Sequence, residues 1–232
     1  MIGAWGQGVL GGTGGAMLAL RALKAAAILG IAGLCGLPVA QAADGNGFYV
    51  GVGVGSADAK RTSSWAQNAD ANQLLLGFTS NTVISSNDTG WKVFGGYRFN
   101  ENFAVEGGYT DFGTFSGLSV ISAPAPGFAT GRWRAYSPIN ASVVGLWPIW
   151  QQLSVFGKLG LAYTHVDGEV DGPTPFKLSS SRAQPLLGLG LNYDFAKFGV
   201  RAEFERFNNV GDGTITGQSN IYLWSLGAQY HF

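Results

Sequence analysis

Hydrophobic and polar residues alternate in steps of two along most of this chain, starting near residue 47. This period is typical of β-strands with one apolar face, and eight stretches show it, each bounded by turn or loop residues. Helical periodicity is weak throughout, so the pattern predicts an all-β fold. The predicted strands are 47–56, 90–99, 103–112, 132–147, 153–164, 183–195, 198–207 and 220–232.

The connections between these strands alternate between long and short. The short links are residues 100–102, 148–152 and 196–197, and longer links alternate with them. An up-and-down sheet places all the long links at one end. Transmembrane barrels of outer membranes sort their connections in this way, with short periplasmic turns and longer external loops. The longer links are 57–89, 113–131, 165–182 and about 208–220.

The two faces of each predicted strand differ in character. In the third strand, Phe103, Val105 and Tyr109 share one face, while Glu106 and Thr110 share the other. An apolar outer face with aromatic ends fits a lipid environment, with the aromatic rings at the headgroup level. Aromatic residues predicted near the short turns are Phe48, Tyr97, Phe99, Phe103, Trp147, Trp150, Phe195, Phe198, Tyr230 and Phe232. Those predicted near the long loops are Trp91, Tyr109, Trp133, Tyr163 and Tyr222.

A sheet in hydrocarbon must close, because an unpaired edge would leave backbone groups without hydrogen bonds. The pattern therefore predicts an eight-stranded antiparallel up-and-down transmembrane β-barrel, whose interior is just filled by side chains. Glycines on the inner face would make room for larger polar groups. The last strand pairs with the first in this arrangement, and Phe232 lies at the periplasmic interface.

Composition narrows the class further. Lys plus Arg and Asp plus Glu each number 14, so no charge excess indicates nucleic acid as a partner. Charged residues make up only 12% of the chain, while glycine is frequent and aromatic residues reach 13%. That balance does not suit a water-soluble α/β enzyme or a disordered chain. Beyond residue 45 no apolar run is long enough for a spanning helix.

The N-terminal 42 residues are predicted to be a cleaved signal peptide, which leaves 43–232 as the barrel domain. Arg21 and Lys24 precede an apolar core, and Ala40-Gln41-Ala42 forms an A-x-A cleavage pattern. The leader is long, so the true start is either Met1 or Met17; an uncleaved anchor is the alternative to cleavage. The single cysteine lies within this leader, so the mature chain has no disulfide.

Three segments carry a resemblance to a known family. They are "NFAVEGGYTDFG", "SVFGKLGLAYT" and "RAEFERFNNVGDGTITGQSNIYLWSLGAQYHF". In this order they resemble the OmpA-type eight-stranded outer-membrane barrel family over residues 47–232. The resemblance implies a barrel with an interior charge network and a C-terminal Phe232 read by the barrel-assembly machinery. Many members continue into a peptidoglycan-binding domain; this chain is expected to be the barrel alone, so cell-wall tethering is not carried over.

The inward faces of the predicted strands carry charges that either fill the interior or form a gate for small ions. Proposed pairings are Glu106 with Lys92 or Arg98, and Glu203 or Glu205 with Arg201 or Lys158. The predicted network is Lys92, Arg98, Glu106, Lys158, Arg201, Glu203 and Glu205, with Arg132 and Arg134 also predicted to point inward.

Signals for catalysis, cofactors and metals are thin. No cofactor motif or metal-ligand spacing is present, and the chain is expected not to be an enzyme. Its two histidines are far apart: His231 lies at the periplasmic end, and His165 lies near the outer rim. His165 has Asp167 and residues 179–181 as possible partners for lipid A chemistry, although no spacing fixes a triad.

The sequence thus predicts an integral outer-membrane protein, exported through the periplasm, with a structural or interaction role and at most weak, porin-like passage of small solutes. The alternatives are an OmpW-like transporter of small hydrophobic molecules and a lipid A-modifying barrel enzyme. Expected partners are membrane lipids and lipopolysaccharide, the barrel-assembly machinery, and an extracellular partner contacted through residues 57–89 and 113–131.

Overall fold

The computed structural model describes residues 46–60, 74, 77, 79–123, 126–171, 176–211 and 218–232. In these residues the backbone forms nine antiparallel strands, and no helix there has the length and apolar character needed to cross a membrane. The predicted leader lies outside the described residues. The strands are β1 Gly47–Lys60, β2 Thr79–Ser85, β3 Asn87–Arg98, β4 Phe103–Ala123, β5 Gly127–Pro148, β6 Leu153–Asp171, β7 Phe176–Phe195, β8 Phe198–Val210 and β9 Ser219–His231.

Eight of these strands close into a barrel, as the sequence predicts. Each pairs with its neighbours in chain order from β3 to β9, and β1 closes the ring by pairing with both β3 and β9. The closing ladder runs from Tyr49 opposite His231 to Lys60 opposite Asn220. Every barrel strand therefore has two hydrogen-bonded neighbours, which is the condition for placing strands in hydrocarbon.

The predicted strands match the structure at the short-turn end but are too short at the other end. The longer link predicted at 113–131 is mostly strand, because β4 and β5 pair as far as Ile121 opposite Gly127. β6 likewise continues to Asp171, and β7 already begins at Phe176. Hairpin pairing satisfies backbone groups in water as well as in lipid, so the strands continue past the apolar band. The predicted loop 57–89 becomes the end of β1, a segment at 61–73 outside the described residues, and β2.

β2 is a ninth strand that the sequence analysis did not identify. It pairs with β4 between Ser116 and Ala123. This is the same edge of β4 that pairs with β3 between Ala104 and Asp111. A bulge in β4 separates the two pairings, and Gly113 adopts a left-handed φ of 82° there. The Asp111 carboxylate accepts the Gly113 N–H at 2.8 Å, and the Asp88 carboxylate accepts the Thr114 N–H at 2.7 Å.

A bulge in β5 reverses which residues face inward. Tyr136 lies opposite His165 and Ile139 opposite Tyr163, so two residues of β5, including Pro138, oppose one of β6. Proline suits a bulge because it donates no ladder hydrogen bond. Below the bulge, residues 140, 142, 144 and 146 are buried; above it, residues 133, 135 and 137 are buried instead.

Three predictions fail because of this bulge. Arg132 and Arg134 were predicted to point into the barrel, but both are exposed on its outer side. Trp133 was predicted to lie in the outer aromatic belt, but its side chain is buried at 7% exposure. One inserted residue shifts a period of two by half a cycle, so all three side chains change face.

The interior is packed in two apolar layers with polar side chains between them. The layer nearer the long connections contains mainly large apolar side chains, and the layer nearer the short turns contains aromatic rings. The layer nearer the long connections, here called the outer apolar layer, comprises Ala57, Ala59, Phe112, Phe115, Ala135, Ala162, Val166, Leu186, Phe207, Val210, Ile221 and Leu223. The layer nearer the short turns, here called the inner apolar layer, comprises Tyr49, Phe94, Ala104, Val144, Leu146 and Phe156.

Two inward glycines make room for aromatic rings as well as for polar groups. A Cβ on Gly51 would overlap the Phe94 ring and lie 2.9 Å from the Ala228 carbonyl oxygen. A Cβ on Gly190 would overlap the Phe156 ring in the same way. Gly53, two residues along β1 on the same face, has its nearest neighbour at 3.4 Å, so it has space for a methyl group.

We expect Gly51→Ala to lower the free energy of unfolding by about 1–3 kcal/mol, the usual effect of overpacking. Denaturant unfolding of the refolded protein in detergent micelles measures this change. Gly53→Ala is the matched control on the same strand and face, with an expected change below about 1 kcal/mol. Equal effects from the two variants would show that the Phe94 ring does not restrict this site.

Candidate functional site

The middle of the barrel interior holds six charged side chains, here called the charge network. They come from β3, β4, β6 and β8, and each is at most 5% exposed. Strand alternation turns all six inward, and the closure of the barrel brings residues more than 90 positions apart into contact. The charge network is Lys92, Glu106, Lys158, Arg201, Glu203 and Glu205.

Lys158 is the most connected cation of the charge network. Its Nζ lies 2.5 Å from Glu106 Oε1, 2.8 Å from Glu203 Oε1 and 3.0 Å from Glu205 Oε1. Lys92 pairs with the same two β8 carboxylates, at 2.7 Å from Glu205 Oε2 and in direct contact with Glu203. The two lysines therefore bridge the acidic side chains of β8 to the opposite wall.

Arg201 completes the charge network on the side of the short turns. Its Nη1 donates to Glu106 Oε2 at 2.6 Å, and its Nε lies 3.2 Å from Glu203 Oε2. The guanidinium lies over the Phe156 ring at 4.0 Å and near the Phe94 ring at 4.9 Å. Cation–π contacts of this kind stabilise a desolvated arginine.

The charge network is formally neutral, with three cations and three carboxylates. Neutrality matters because an unpaired charge in this interior would keep its full desolvation penalty. Tyr49 adds a further donor, since its hydroxyl contacts Glu106 Oε2 at 3.1 Å. The sequence analysis missed Tyr49, although it shares a face of β1 with the inward glycines Gly51 and Gly53.

The observed pairings differ in part from those expected from the sequence. Glu106 pairs with Lys158 and Arg201, and among the described residues no ion pair joins it to Lys92 or Arg98. Arg98 is not part of the charge network; it lies nearer the short turns, where its Nη1 is 3.5 Å from Asp194 Oδ2. His231 is also there, with Nε2 3.1 Å from Asp194 Oδ1.

The outer side of the barrel carries a second set of polar contacts above the apolar band. Arg134 donates to Asp111 Oδ2 at 2.8 Å, and this hydrogen bond raises the pKa of the arginine. Nearby, Ser181 Oγ lies 2.5 Å from His165 Nδ1, and His165 Nε2 lies 3.0 Å from Asp167 Oδ1. The sequence named the last three residues as possible partners, but only the register of β6 and β7 brings them together.

Metal binding has no support in the described part of the chain, where no group of three or more His, Cys, Asp or Glu is placed to hold an ion.

At the end of β9, Phe232 donates its backbone N–H to the Phe48 carbonyl at 3.1 Å. Its ring lies edge-on to Tyr230 with centroids 5.2 Å apart.

Comparison with known families agrees with this architecture, since the model of the OmpA-like transmembrane domain matches residues 43–232. The chain belongs to this family. The family and the structures similar to this chain are mostly non-enzymatic outer-membrane barrels. No curated protein sequence matches the chain.

Solved structures similar to this chain are distant in sequence. Neisserial surface protein A is 16% identical, with 80% of this chain and 97% of that chain covered and a TM-score of 0.51. OprG from Pseudomonas aeruginosa is 13% identical over 80% and 97% of the two chains, with a TM-score of 0.47. Ail from Yersinia pestis is 19% identical over 80% and 99%, with a TM-score of 0.44. At 16% identity, the likeness to Neisserial surface protein A shows the fold alone.

We expect Lys158→Met to lower the free energy of unfolding of this OmpA-like barrel by about 3–5 kcal/mol, because it leaves buried carboxylates without their shared cation. Denaturant titration in detergent micelles or lipid vesicles measures the change. Lys177→Met is the matched control: it removes an exposed lysine whose Nζ is 3.0 Å from Glu169 Oε1. That variant should lose less than about 1 kcal/mol, as surface ion pairs do. A loss for Lys158→Met as small as for the control would contradict a stabilising role for the charge network.

Proposed function

We propose that this chain is an outer-membrane barrel with a structural and interaction role and, at most, weak passage of small solutes. The observation that carries this proposal is the charge network, which links β3, β4 and β6 to β8 across the interior. An eight-stranded barrel is narrow enough for side chains to fill it.

Two further features support a closed interior. The outer apolar layer lies above the charge network and includes Phe112, Leu186, Phe207 and Leu223, all with 0% exposure. Below the network, a cavity of about 10 Å³ beside Tyr49 and Arg201 has room for about one water molecule. Passage of an ion therefore requires the ion pairs and the apolar layer to rearrange.

Transport of small hydrophobic molecules, as in OmpW-type barrels, is the second candidate. The outer apolar layer favours it, because such a layer would accept an apolar solute. The layer is already filled by its own side chains, however, and a charged layer follows beneath it. Uptake of a labelled hydrocarbon into vesicles containing the protein, at a rate above that of empty vesicles, would promote this candidate over the first.

The route and partners of the barrel follow from its membrane location. We propose that residues 1–42 direct export to the periplasm and are removed, and that the barrel-assembly machinery recognises the strand ending in Phe232. Outer-membrane lipids and lipopolysaccharide would contact the apolar wall. An extracellular partner would meet residues 57–89 and 113–131; within the second range, residues 113–123 and 127–131 belong to β4 and β5.

N-terminal sequencing of the protein from isolated outer membranes should begin at Ala43, because the A-x-A pattern places cleavage after Ala42. An Ala42→Leu variant should accumulate as an uncleaved precursor in the inner membrane, since the peptidase requires a small residue there. A mature protein that retains its leader would overturn the proposed export route.

In planar bilayers the wild-type barrel should show small, infrequent openings. Lys158→Glu places a fourth carboxylate beside Glu106, Glu203 and Glu205, and like-charge repulsion should raise the open probability by about tenfold, the effect of about 1.4 kcal/mol. The swapped double variant Lys158→Glu/Glu205→Lys restores neutrality and should return the openings to the wild-type level.

This double variant separates a gate from mere damage to the barrel. If both variants conduct like the wild type and unfold at the same denaturant concentration, the charge network has no gating role. Large, steady wild-type currents would instead contradict the closed interior.

A further inference from the structure

Three polar side chains form a hydrogen-bonded chain on the outer wall, away from the charge network. His165 and Asp167 are two residues apart on β6 and share a face, and Ser181 of β7 lies directly opposite His165. The separations are 2.5 Å from Ser181 Oγ to His165 Nδ1 and 3.0 Å from His165 Nε2 to Asp167 Oδ1. With the proton on Nε2, the imidazole donates to Asp167 and its Nδ1 accepts the Ser181 hydroxyl.

The level of this group in the membrane is marked by a row of aromatic rings. The ring centroids are 5.1 Å apart for Trp91 and Tyr109, 6.4 Å apart for Tyr109 and Tyr136, and 5.2 Å apart for Tyr136 and His165. The row crosses β3, β4, β5 and β6, and its aromatic residues lie where an interfacial belt is expected. His165 therefore lies at the level of lipid headgroups and ester bonds in the outer leaflet.

A groove of about 600 Å³ lies beside this group, on the side away from the membrane. Asp167 and Ser179 line it, together with the cations Arg132, Arg134 and Lys177. Glu169 also lines the groove and pairs with Lys177 at 3.0 Å, so the lining carries a net excess of one cation. Apart from its backbone pairing in the β4–β5 and β5–β6 ladders, Arg132 makes no hydrogen bond or ion pair with the described residues. Its guanidinium is therefore available for an anionic headgroup.

The wall on the membrane side of the group is apolar. Leu159 and Leu161 of β6 and Leu189 of β7 are each 63–64% exposed and face the acyl chains. Tyr163 lies between this wall and His165 on the same face. An amphiphile with its chains on the wall and its charge in the groove would place its ester linkage beside Ser181.

We propose that Ser181, His165 and Asp167 form an esterase site for acyl esters of anionic amphiphiles in the outer leaflet. Ser181 Oγ bonds to the acyl carbonyl carbon while its proton passes to His165 Nδ1. The ester C–O bond then breaks, and His165 returns the proton to the departing alcohol. His165 then takes a proton from a water molecule, whose oxygen bonds to the acyl carbon of the acyl-serine. The bond from that carbon to Ser181 Oγ breaks and His165 returns the proton to Ser181, so the products are a free fatty acid and the alcohol. Asp167 is a positioning residue that holds the imidazole in the required tautomer.

The test uses the refolded full barrel with p-nitrophenyl decanoate in micelles, and then with vesicles of phosphatidylglycerol or phosphatidylcholine. Hydrolysis should exceed that of protein-free samples, and phosphatidylglycerol should be the better substrate of the two lipids. Ser181→Ala and His165→Gln should each lower the rate by about a hundredfold or more. A fluorophosphonate should add a single mass adduct to the wild type and none to Ser181→Ala.

Ser122→Ala is the control: it removes an exposed serine hydroxyl of β4, outside the groove, that donates to the Thr79 carbonyl at 3.2 Å. This variant should hydrolyse and label like the wild type. Asp167→Asn should lower kcat with little change in KM, as expected for positioning and not for binding. Arg132→Glu should reduce the preference for phosphatidylglycerol over phosphatidylcholine.

Absence of hydrolysis and labelling in the wild-type barrel, when its electrophoretic mobility shows that it is folded, would overturn the esterase site. Hydrolysis that Ser181→Ala does not reduce would overturn it as well. Neither outcome bears on the closed interior, which bilayer conductance measures separately.

Discussion

The need of every backbone N–H and C=O for a hydrogen-bond partner governs this protein. In hydrocarbon no water supplies that partner, and each unsatisfied group costs several kcal/mol. A strand sheet can meet the requirement only by closing on itself, and here β1 closes the ring by pairing with β9. The lipid-facing aromatic residues, the apolar wall and the alternation of faces all depend on that closure.

Closure with eight strands also sets what the interior can contain. The space is too narrow for an aqueous channel and is filled by side chains. Charged side chains are tolerated there because Lys92, Lys158 and Arg201 balance three carboxylates within hydrogen-bonding distance. The same pairs that fill the interior are the ones that would have to separate for an ion to pass, so packing and any gating share one set of contacts.

Outside the membrane the constraint relaxes, and the chain uses that freedom. Five strands, β2 and β4 to β7, form the longer outer part of the sheet, where water can satisfy an open edge. Bulges at Gly113 and near Pro138 lie in this part, and the second one turns Arg132 and Arg134 outward. The polar surface around His165 owes its composition to that reversal, because it brings two guanidinium groups to the outer wall.

The amino-acid pattern is sufficient to predict the barrel. A period of two with one apolar face, together with the sorting of short and long connections, is enough to predict eight strands, their order and most of their lipid-facing residues, because lipid and closure leave few alternatives. Strict alternation also placed Lys92, Glu106, Lys158, Arg201, Glu203 and Glu205 inside. The pattern does not reveal which of these side chains pair, because pairing depends on strand stagger across the interior. It also does not reveal the faces of Arg132, Trp133 and Arg134, since a one-residue bulge leaves almost no trace in the alternation. The contact of Ser181 with His165 likewise depends on the register of β6 against β7, which no local spacing encodes.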